Sequence, residues 1–133
     1  MTRFTFTKAQ HLRAKADFER VYALKCKAAD GVLLLFAARS SSPVTRIGLS
    51  VSRKHGGAIV RNRLKRLLRE AFRLKQFEIP QGVDLIAIPL AKEKASLDAY
   101  QHSLVNVSRR LQRRLDQNSA EPSRNSPSSR MPQ

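Results

Sequence analysis

The sequence contains one cysteine, no tryptophan and few acidic residues, and each shortage narrows what the chain can be. Cys26 is the single cysteine in 133 residues, so an intrachain disulfide is excluded and a reducing compartment is favoured. Such a residue is more often a buried, inert thiol than a catalytic nucleophile. Asp and Glu total 10 against 26 Lys and Arg, which gives a formal net charge of +16. This imbalance indicates a polyanionic partner, either nucleic acid or an anionic surface.

Long apolar runs are also missing. No stretch approaches the ~20 consecutive apolar residues of a membrane span, and residues 1–10 lack the apolar centre of a signal peptide. We therefore expect no membrane partner. A length of 133 residues, 41% of them hydrophobic, suits one domain with a modest core.

Groups that would support catalysis are scarce as well. His11, His55 and His102 fall in separate predicted elements, and the acids are scattered singly, so no acid–base pair or metal-ligating cluster stands out. The Gly56-Gly57 pair predicts a turn and not a phosphate-binding loop. The sequence thus predicts no active site carried by the protein, no small-molecule substrate and no protein-bound cofactor, and it identifies no metal ligands.

What the chain has instead is a basic amphipathic helix, predicted over residues 60–75. At about 100° per residue, one arc is apolar and the opposite arc is polar. The apolar arc comprises Val60, Leu64, Leu67, Leu68, Ala71, Phe72 and Leu74; the polar arc comprises Arg61, Asn62, Lys65, Arg66, Arg69 and Arg73. Glu70 is the only acid between Asp30 and Glu78, whereas a helix face that is merely soluble usually mixes both signs. The helix therefore predicts a nucleic-acid surface.

The remaining pattern predicts a single α+β domain flanked by a basic N-terminal arm (1–13) and a disordered Ser/Pro/Arg-rich tail (116–133). In order, the domain elements are a helix over 14–25, strands over 32–38 and 46–53, the basic helix, a strand over 83–88 and a helix over 96–115. Phe18, Val21 and Tyr22 share one face of the first helix, where plain core is the ordinary interpretation. In the second strand, Gly48, Ser50 and Ser52 share one face, which suits either solvent or the floor of a groove.

The run from Arg53 to Arg66 resembles the signature of the bacterial ribonuclease P protein component. That family has a basic strand end, a Gly, an Ala, an apolar step, Arg-Asn-Arg, an apolar residue and Lys-Arg. Here these are Arg53-Lys54, Gly57, Ala58-Ile59, Arg61-Asn62-Arg63, Leu64 and Lys65-Arg66. The resemblance extends over roughly residues 12–115 through Asp17-Phe18, the 46–54 strand and Asp84. It departs after the last strand, where Pro89-Leu90 replaces an Arg of many members; Lys92 or Lys94 could supply that basic contact.

The resemblance implies a fold and a function. The implied fold is a mixed β-sheet packed by three helices, with a left-handed βαβ crossover around the basic helix, the rare hand for such a connection. Ribonuclease P is a cytoplasmic ribonucleoprotein endonuclease whose RNA subunit, with magnesium, removes the 5′ leader of precursor tRNA. The protein subunit is non-catalytic and binds both RNAs. Metal ions near the Arg-Asn-Arg helix are also implied.

By the same resemblance, two sets of residues have RNA partners. The set facing the catalytic RNA subunit is Arg53, Lys54, Arg61, Asn62, Arg63, Lys65, Arg66 and Arg69. The set facing the single-stranded leader is Phe18, Tyr22, Phe36, Ser50, Ser52 and Lys54. Single-stranded bases stack on aromatic rings while the backbone follows positive charge, which suits the second set.

Two other classes fit the residues. A ribosomal-type structural RNA-binding protein is one, since the family shares its fold with a small-subunit ribosomal protein and an elongation-factor domain. A DNA-binding regulator is the other, although no dimer seam or helix-turn-helix partner is evident. The first would co-sediment with ribosomes, and the second would prefer duplex DNA.

Overall fold

The computed structural model describes residues 6–90 and 95–120, with side chains up to residue 117. The helices are α1 (Lys15–Leu24), α2 (Ala58–Lys75) and α3 (Leu97–Ala120); the strands are β1 (Lys27–Ala29), β2 (Leu33–Arg39), β3 (Arg46–Leu49) and β4 (Val83–Pro89). Short 3-10 turns cover Lys8–Gln10 and Arg53–His55. The predicted α+β order is confirmed, and β1 is an addition to it.

The strands form one mixed sheet in the order β1-β2-β4-β3. β2 is antiparallel to β1 and β4, whereas β3 and β4 are parallel. Helix α2 connects those two parallel neighbours, as the family fold requires; the left-handed sense of this crossover stays a prediction. At the outer edge of β3, the N-terminal segment forms a bridge in which the Leu12 N–H donates to the Ile47 carbonyl at 3.0 Å.

One face of the sheet is covered by α2 and α3, and we call it the covered face. Leu64, Leu68 and Phe72 of α2 pack there with Tyr100 and other residues of α3. The strands contribute the alternate residues Leu33, Leu35, Ala37, Val83, Leu85 and Ala87 to the same core. These contacts confirm the predicted apolar arc of α2 from Val60 to Phe72, with Val60 and Leu67 packed at its margin; Leu74, the last predicted member, is not part of this cluster.

The opposite face is covered by α1 alone, and we call it the open face. Leu12, Val21, Ala38 and Ile86 form a small buried cluster, against which Phe18, Tyr22, Phe36 and Ile88 are only half buried. The plain-core interpretation of α1 therefore holds for Val21 and fails for its two aromatic residues.

Two predicted boundaries are wrong. The second predicted strand ends at Leu49 and not at Arg53, because His55 turns the chain: its Nδ1 accepts the Ser52 N–H at 2.9 Å and its Nε2 contacts the Pro89 carbonyl at 2.9 Å. The last helix continues past Leu115 to Ala120, so the start of the predicted tail is helical. The rest of that tail, residues 1–5 of the arm, and Lys92 and Lys94 lie outside the described residues.

Candidate nucleic-acid interface

The outward side of α2 carries exposed arginines with little internal neutralisation. Together with the N-terminal Phe6, these residues line a concavity of about 310 Å³: Asn62, Arg66, Arg69, Glu70 and Arg73. Arg73 Nε donates to Glu70 at 3.0 Å, and this hydrogen bond holds the pKa of Glu70 below its usual range. The one acid of the helix is therefore paired with Arg73, which leaves Arg66 and Arg69 charged and exposed.

The two arginines of the Arg-Asn-Arg run point away from each other. Arg63 lies on the α3 side, where its guanidinium donates to the Ala95 carbonyl at 3.4 Å. Arg61 precedes Leu64 and Leu68 by three and seven residues, so its stem shares their side of the helix. It is half buried, and its Nε is buried with no hydrogen-bond partner in the described part of the chain. The predicted outward projection of Arg61 is thus only partly correct.

A second concavity joins α2 to the open face. It measures about 250 Å³ and lies between the N-terminal segment, β3, α1 and α2; its lining includes Lys65, Arg69, His11, Phe18, Gly48 and Leu49. Lys65, predicted to face the RNA subunit, therefore lines the same concavity as Phe18, predicted to face the leader. Arg69 borders both concavities, so the outward side of α2 adjoins the part of the open face at Phe18.

His11 contributes an aromatic wall to this second concavity. Its ring stacks on Phe6 with centroids 4.0 Å apart, and its Nδ1 lies 3.2 Å from an Arg13 guanidinium nitrogen. Burial, together with the charges of Arg13 and Arg69, lowers the pKa of His11. The lowered pKa favours the neutral imidazole, whose ring offers a stacking surface.

On the open face, the register places aromatic and small residues side by side. Phe36, Ile86 and Gly48 are direct neighbours across β2, β4 and β3. The Phe18 ring lies on Gly48 so closely that a Cβ there would be 2.5 Å from Phe18 Cζ, which makes glycine necessary for this approach. Tyr22 meets Phe36 edge-on, with centroids 4.8 Å apart and planes at 82°. Three predicted leader residues are thus brought together.

The predicted polar leader residues are less closely grouped. Ser50 continues the β3 direction, with its N–H donating to the Ala87 carbonyl at 3.0 Å, and alternation directs its side chain to the open face. Ser52 and Lys54 are exposed and lie in the following turn. Further residues of this face were not predicted: Leu34, Ile88 and Lys27. Alternation within the apolar run of β2 was the available signal for Leu34.

An ionic cluster around one buried carboxylate links α1 to the open face of the sheet. Asp84, with a fully buried side chain, accepts Arg46 Nε at 2.9 Å and an Arg46 terminal nitrogen at 2.8 Å, and it also accepts a hydrogen bond from Arg20. Asp17 of α1 lies 3.5 Å from Arg46 and 3.6 Å from Arg20. The Asp84 hydrogen bonds raise the pKa of Arg46. Since Phe18 directly follows Asp17, this cluster sets the position of the aromatic pair.

The family model for Ribonuclease P matches residues 6–112. The chain belongs to the ribonuclease P protein family. The ribonuclease P protein component of Brevibacillus brevis is 36% identical over 105 residues, covering 77% of this chain and 83% of the relative. The solved ribonuclease P protein of Thermotoga maritima is 30% identical, covers 75% of this chain and 96% of its own, and superposes with a TM-score of 0.65.

A further solved ribonuclease P protein, from Staphylococcus aureus, is a mutant with defective mRNA degradation activity. It is 30% identical to this chain, covers 79% of this chain and 90% of its own, and superposes with a TM-score of 0.69. These likenesses extend over the domain that carries both concavities. Within residues 6–90 and 95–120, no three His, Cys, Asp or Glu side chains group as metal ligands. The helices of the same residues include none long and apolar enough to span a bilayer.

Proposed function

We propose that this chain is the non-catalytic protein subunit of ribonuclease P, which binds the catalytic RNA subunit and the single-stranded 5′ leader of precursor tRNA. The observation that carries the proposal is the half-buried aromatic group Phe18, Tyr22 and Phe36, whose member Phe18 lines a concavity together with Lys65 and Arg69 of α2. Single-stranded RNA is bound by aromatic rings on which its bases stack, next to cations that contact its backbone. Family membership favours this role over the ribosomal and DNA-binding alternatives.

The RNA subunit would bind the outward side of α2 and the turn that precedes it. Arg53, Lys54, Asn62, Arg63, Arg66 and Arg69 are all exposed there. Arg61 adds a buried Nε with no partner among the described residues. A buried donor without an acceptor is costly, and a phosphate oxygen would satisfy it. Arginine suits this role because its planar fork matches phosphate oxygens.

The leader would lie across the open face, on Tyr22 and Phe36, with its end nearest the tRNA beside Phe18 and Lys65. Ser50 would offer a hydroxyl to the same strand, and Ser52 and Lys54 would meet it in the turn. This arrangement reads no base identity, because every base can stack. It would accept leaders of different sequence.

The magnesium that the reaction requires would be held by RNA and not by this chain. The charged side chains on the outward side of α2 are mainly cationic, and the acid of this helix, Glu70, is paired with Arg73. Hydrolysis would therefore be performed by the RNA subunit, and the protein would contribute binding energy and screening of phosphate charge. A cytoplasmic location follows from this role and stays a prediction.

The test is reconstitution with a bacterial ribonuclease P RNA at low magnesium. We expect the protein to stimulate precursor tRNA cleavage and Arg66→Gln to weaken that stimulation. Lys75→Gln is the matched control, since it removes the same charge from the far end of α2, where Lys75 pairs with Glu78. Absence of stimulation would refute the proposal. Cleavage of precursor tRNA or of an unstructured mRNA by the protein alone would refute its non-catalytic assignment.

A further inference from the structure

The open face continues beyond its aromatic group to the cationic edge at β1. Lys27 is the register neighbour of Phe36, and its Nζ lies 5.6 Å from the centre of that ring. The side chain is exposed. A strand lying on Tyr22 and Phe36 would therefore meet Lys27 next if it continued away from β3.

Two arginines of α3 reach the same edge. Arg114 donates to the Lys27 carbonyl, and Arg110 donates to the Ala29 carbonyl at 3.2 Å. They stand four residues apart, so they share one face of α3. Each guanidinium has five N–H donors; the carbonyl contact holds the group at the edge and leaves other donors for a ligand.

The charges of this edge are only partly offset nearby. Among the described residues, Lys27, Arg110 and Arg114 form no ion pair with an acid. Asp30 interacts electrostatically with Arg110 without forming an ion pair with it, and its carboxylate accepts hydrogen bonds from the Val32 and Leu33 N–H groups and the Ser103 hydroxyl. Asp116 is paired with Arg39. The three cations are consequently available to a polyanion.

We propose that Lys27, Arg110 and Arg114 form an edge track that binds the phosphates of the leader beyond the aromatic group. This proposal rests on the proposed function. It divides the open face into a stacking region, which every leader occupies, and a phosphate region at β1, which only longer leaders reach. Such a region is insensitive to base sequence and sensitive to salt.

The experiment compares two precursor tRNAs bound to the reconstituted holoenzyme, with leaders of about 4 and about 16 nucleotides, the range of single-strand site sizes. We expect wild-type protein to bind the long leader more tightly. Combined Lys27→Gln, Arg110→Gln and Arg114→Gln should remove that advantage, leave the short leader unaffected, and reduce the log–log salt slope for the long leader by about 2, at ~0.7 per phosphate contact.

Three comparisons keep the result interpretable. The control variant Lys75→Gln, Arg109→Gln and Arg113→Gln removes equal charge elsewhere and should preserve the advantage. Arg110→Lys with Arg114→Lys keeps the charge and should retain most of it. Lys27→Gln alone, whose side chain makes no hydrogen bond within the described chain, should show a partial loss even if the triple variant folds poorly.

The possible failures are distinguishable. If wild-type protein binds both leaders equally but more tightly than mature tRNA, the edge track alone is refuted; if both precursors bind no more tightly than mature tRNA, the leader-binding function fails as well. If the long leader is favoured but the edge variants keep that preference, the edge track alone is refuted. Equal losses for both leaders, or the same loss in the control variant, would also refute it, because the effect would then not depend on leader length or position.

Discussion

The covered and open faces of the sheet are built from the same apolar strands, yet they differ in how much helix packs on them. On the covered face, two long helices bury Phe72 and Tyr100 almost completely. On the open face, α1 has Val21 as its one buried residue and leaves the rings of Phe18, Tyr22 and Phe36 half exposed. The covered face therefore supplies most of the burial that stabilises the fold. The open face leaves apolar surface that a ligand could cover.

The two faces also differ in what holds their helices. Helices α2 and α3 are held by broad apolar stripes, whereas α1 depends on the Asp84, Arg46, Arg20 and Asp17 cluster. Ion pairs with a buried member are costly to form and strongly directional. They suit a helix that must be positioned accurately while burying little surface.

The largest expected effect comes from Phe72→Ala on the covered face. Phe72 is 1% exposed, and emptying such a site costs roughly 3–5 kcal/mol. We expect the free energy of unfolding to fall by that amount in urea titrations, and binding of all RNAs to decline together as the unfolded fraction grows. A selective loss of precursor tRNA binding by well-folded protein would contradict the assignment of stability to this face.

The next effect is expected from Asp84→Asn, which removes the charge shared by Arg46 and Arg20. Hydrogen bonds to charged groups contribute about 1.5–3 kcal/mol, and we expect a destabilisation of that order. Because α1 carries Phe18 and Tyr22, which we propose bind the leader, affinity for precursor tRNA should fall more than affinity for the RNA subunit. Asp116→Asn is the control, since it breaks only the exposed pair with Arg39. Equal changes in the two variants would show that the cluster does not position α1.

Phe36→Ala should separate binding from stability on the open face. Stacking of one base contributes about 1–3 kcal/mol by alanine substitution, so precursor tRNA affinity should fall about fivefold or more. Mature tRNA, which has no leader, should bind unchanged in the presence of the RNA subunit. The melting temperature should fall less than for Phe72→Ala. A matching loss for mature tRNA would assign Phe36 to the core.

The smallest expected effect concerns Asp30, in the turn between β1 and β2. Burial opposes ionisation of Asp30, but hydrogen bonds from the Leu33 and Val32 N–H groups and from the Ser103 hydroxyl, together with the charge of Arg110, lower its pKa overall. A lowered carboxyl pKa stabilises the fold above the ordinary value near 3.8 and ceases to do so as the pH falls through the folded-state value. Asp30→Asn should therefore lower the melting temperature slightly at pH 7, with the deficit shrinking in acid. A deficit that is constant with pH would mean that the charge contributes nothing.

The sequence predicted the long, periodic parts of the molecule better than its junctions. The apolar arc of α2 was predictable because many consecutive positions repeat at helical spacing. Strand β1 has only three residues, Lys27–Ala29, and exists through its pairing with β2. The early end of β3 depends on a contact between His55 and Pro89, and the presence of Lys65 and Phe18 in one concavity depends on how α2 crosses the sheet. Neither is visible in local periodicity.

The coverage of the two sheet edges has a consequence for the chain before it finds RNA. An unpaired strand edge is a template on which another chain can add a strand and begin to aggregate. Here the N-terminal segment bonds to Ile47 at the β3 edge, and arginine side chains occupy the outward carbonyls of Lys27 and Ala29 at the β1 edge. With a net charge of +16 adding mutual repulsion, newly synthesised copies are protected from polymerising with one another while they remain unassembled.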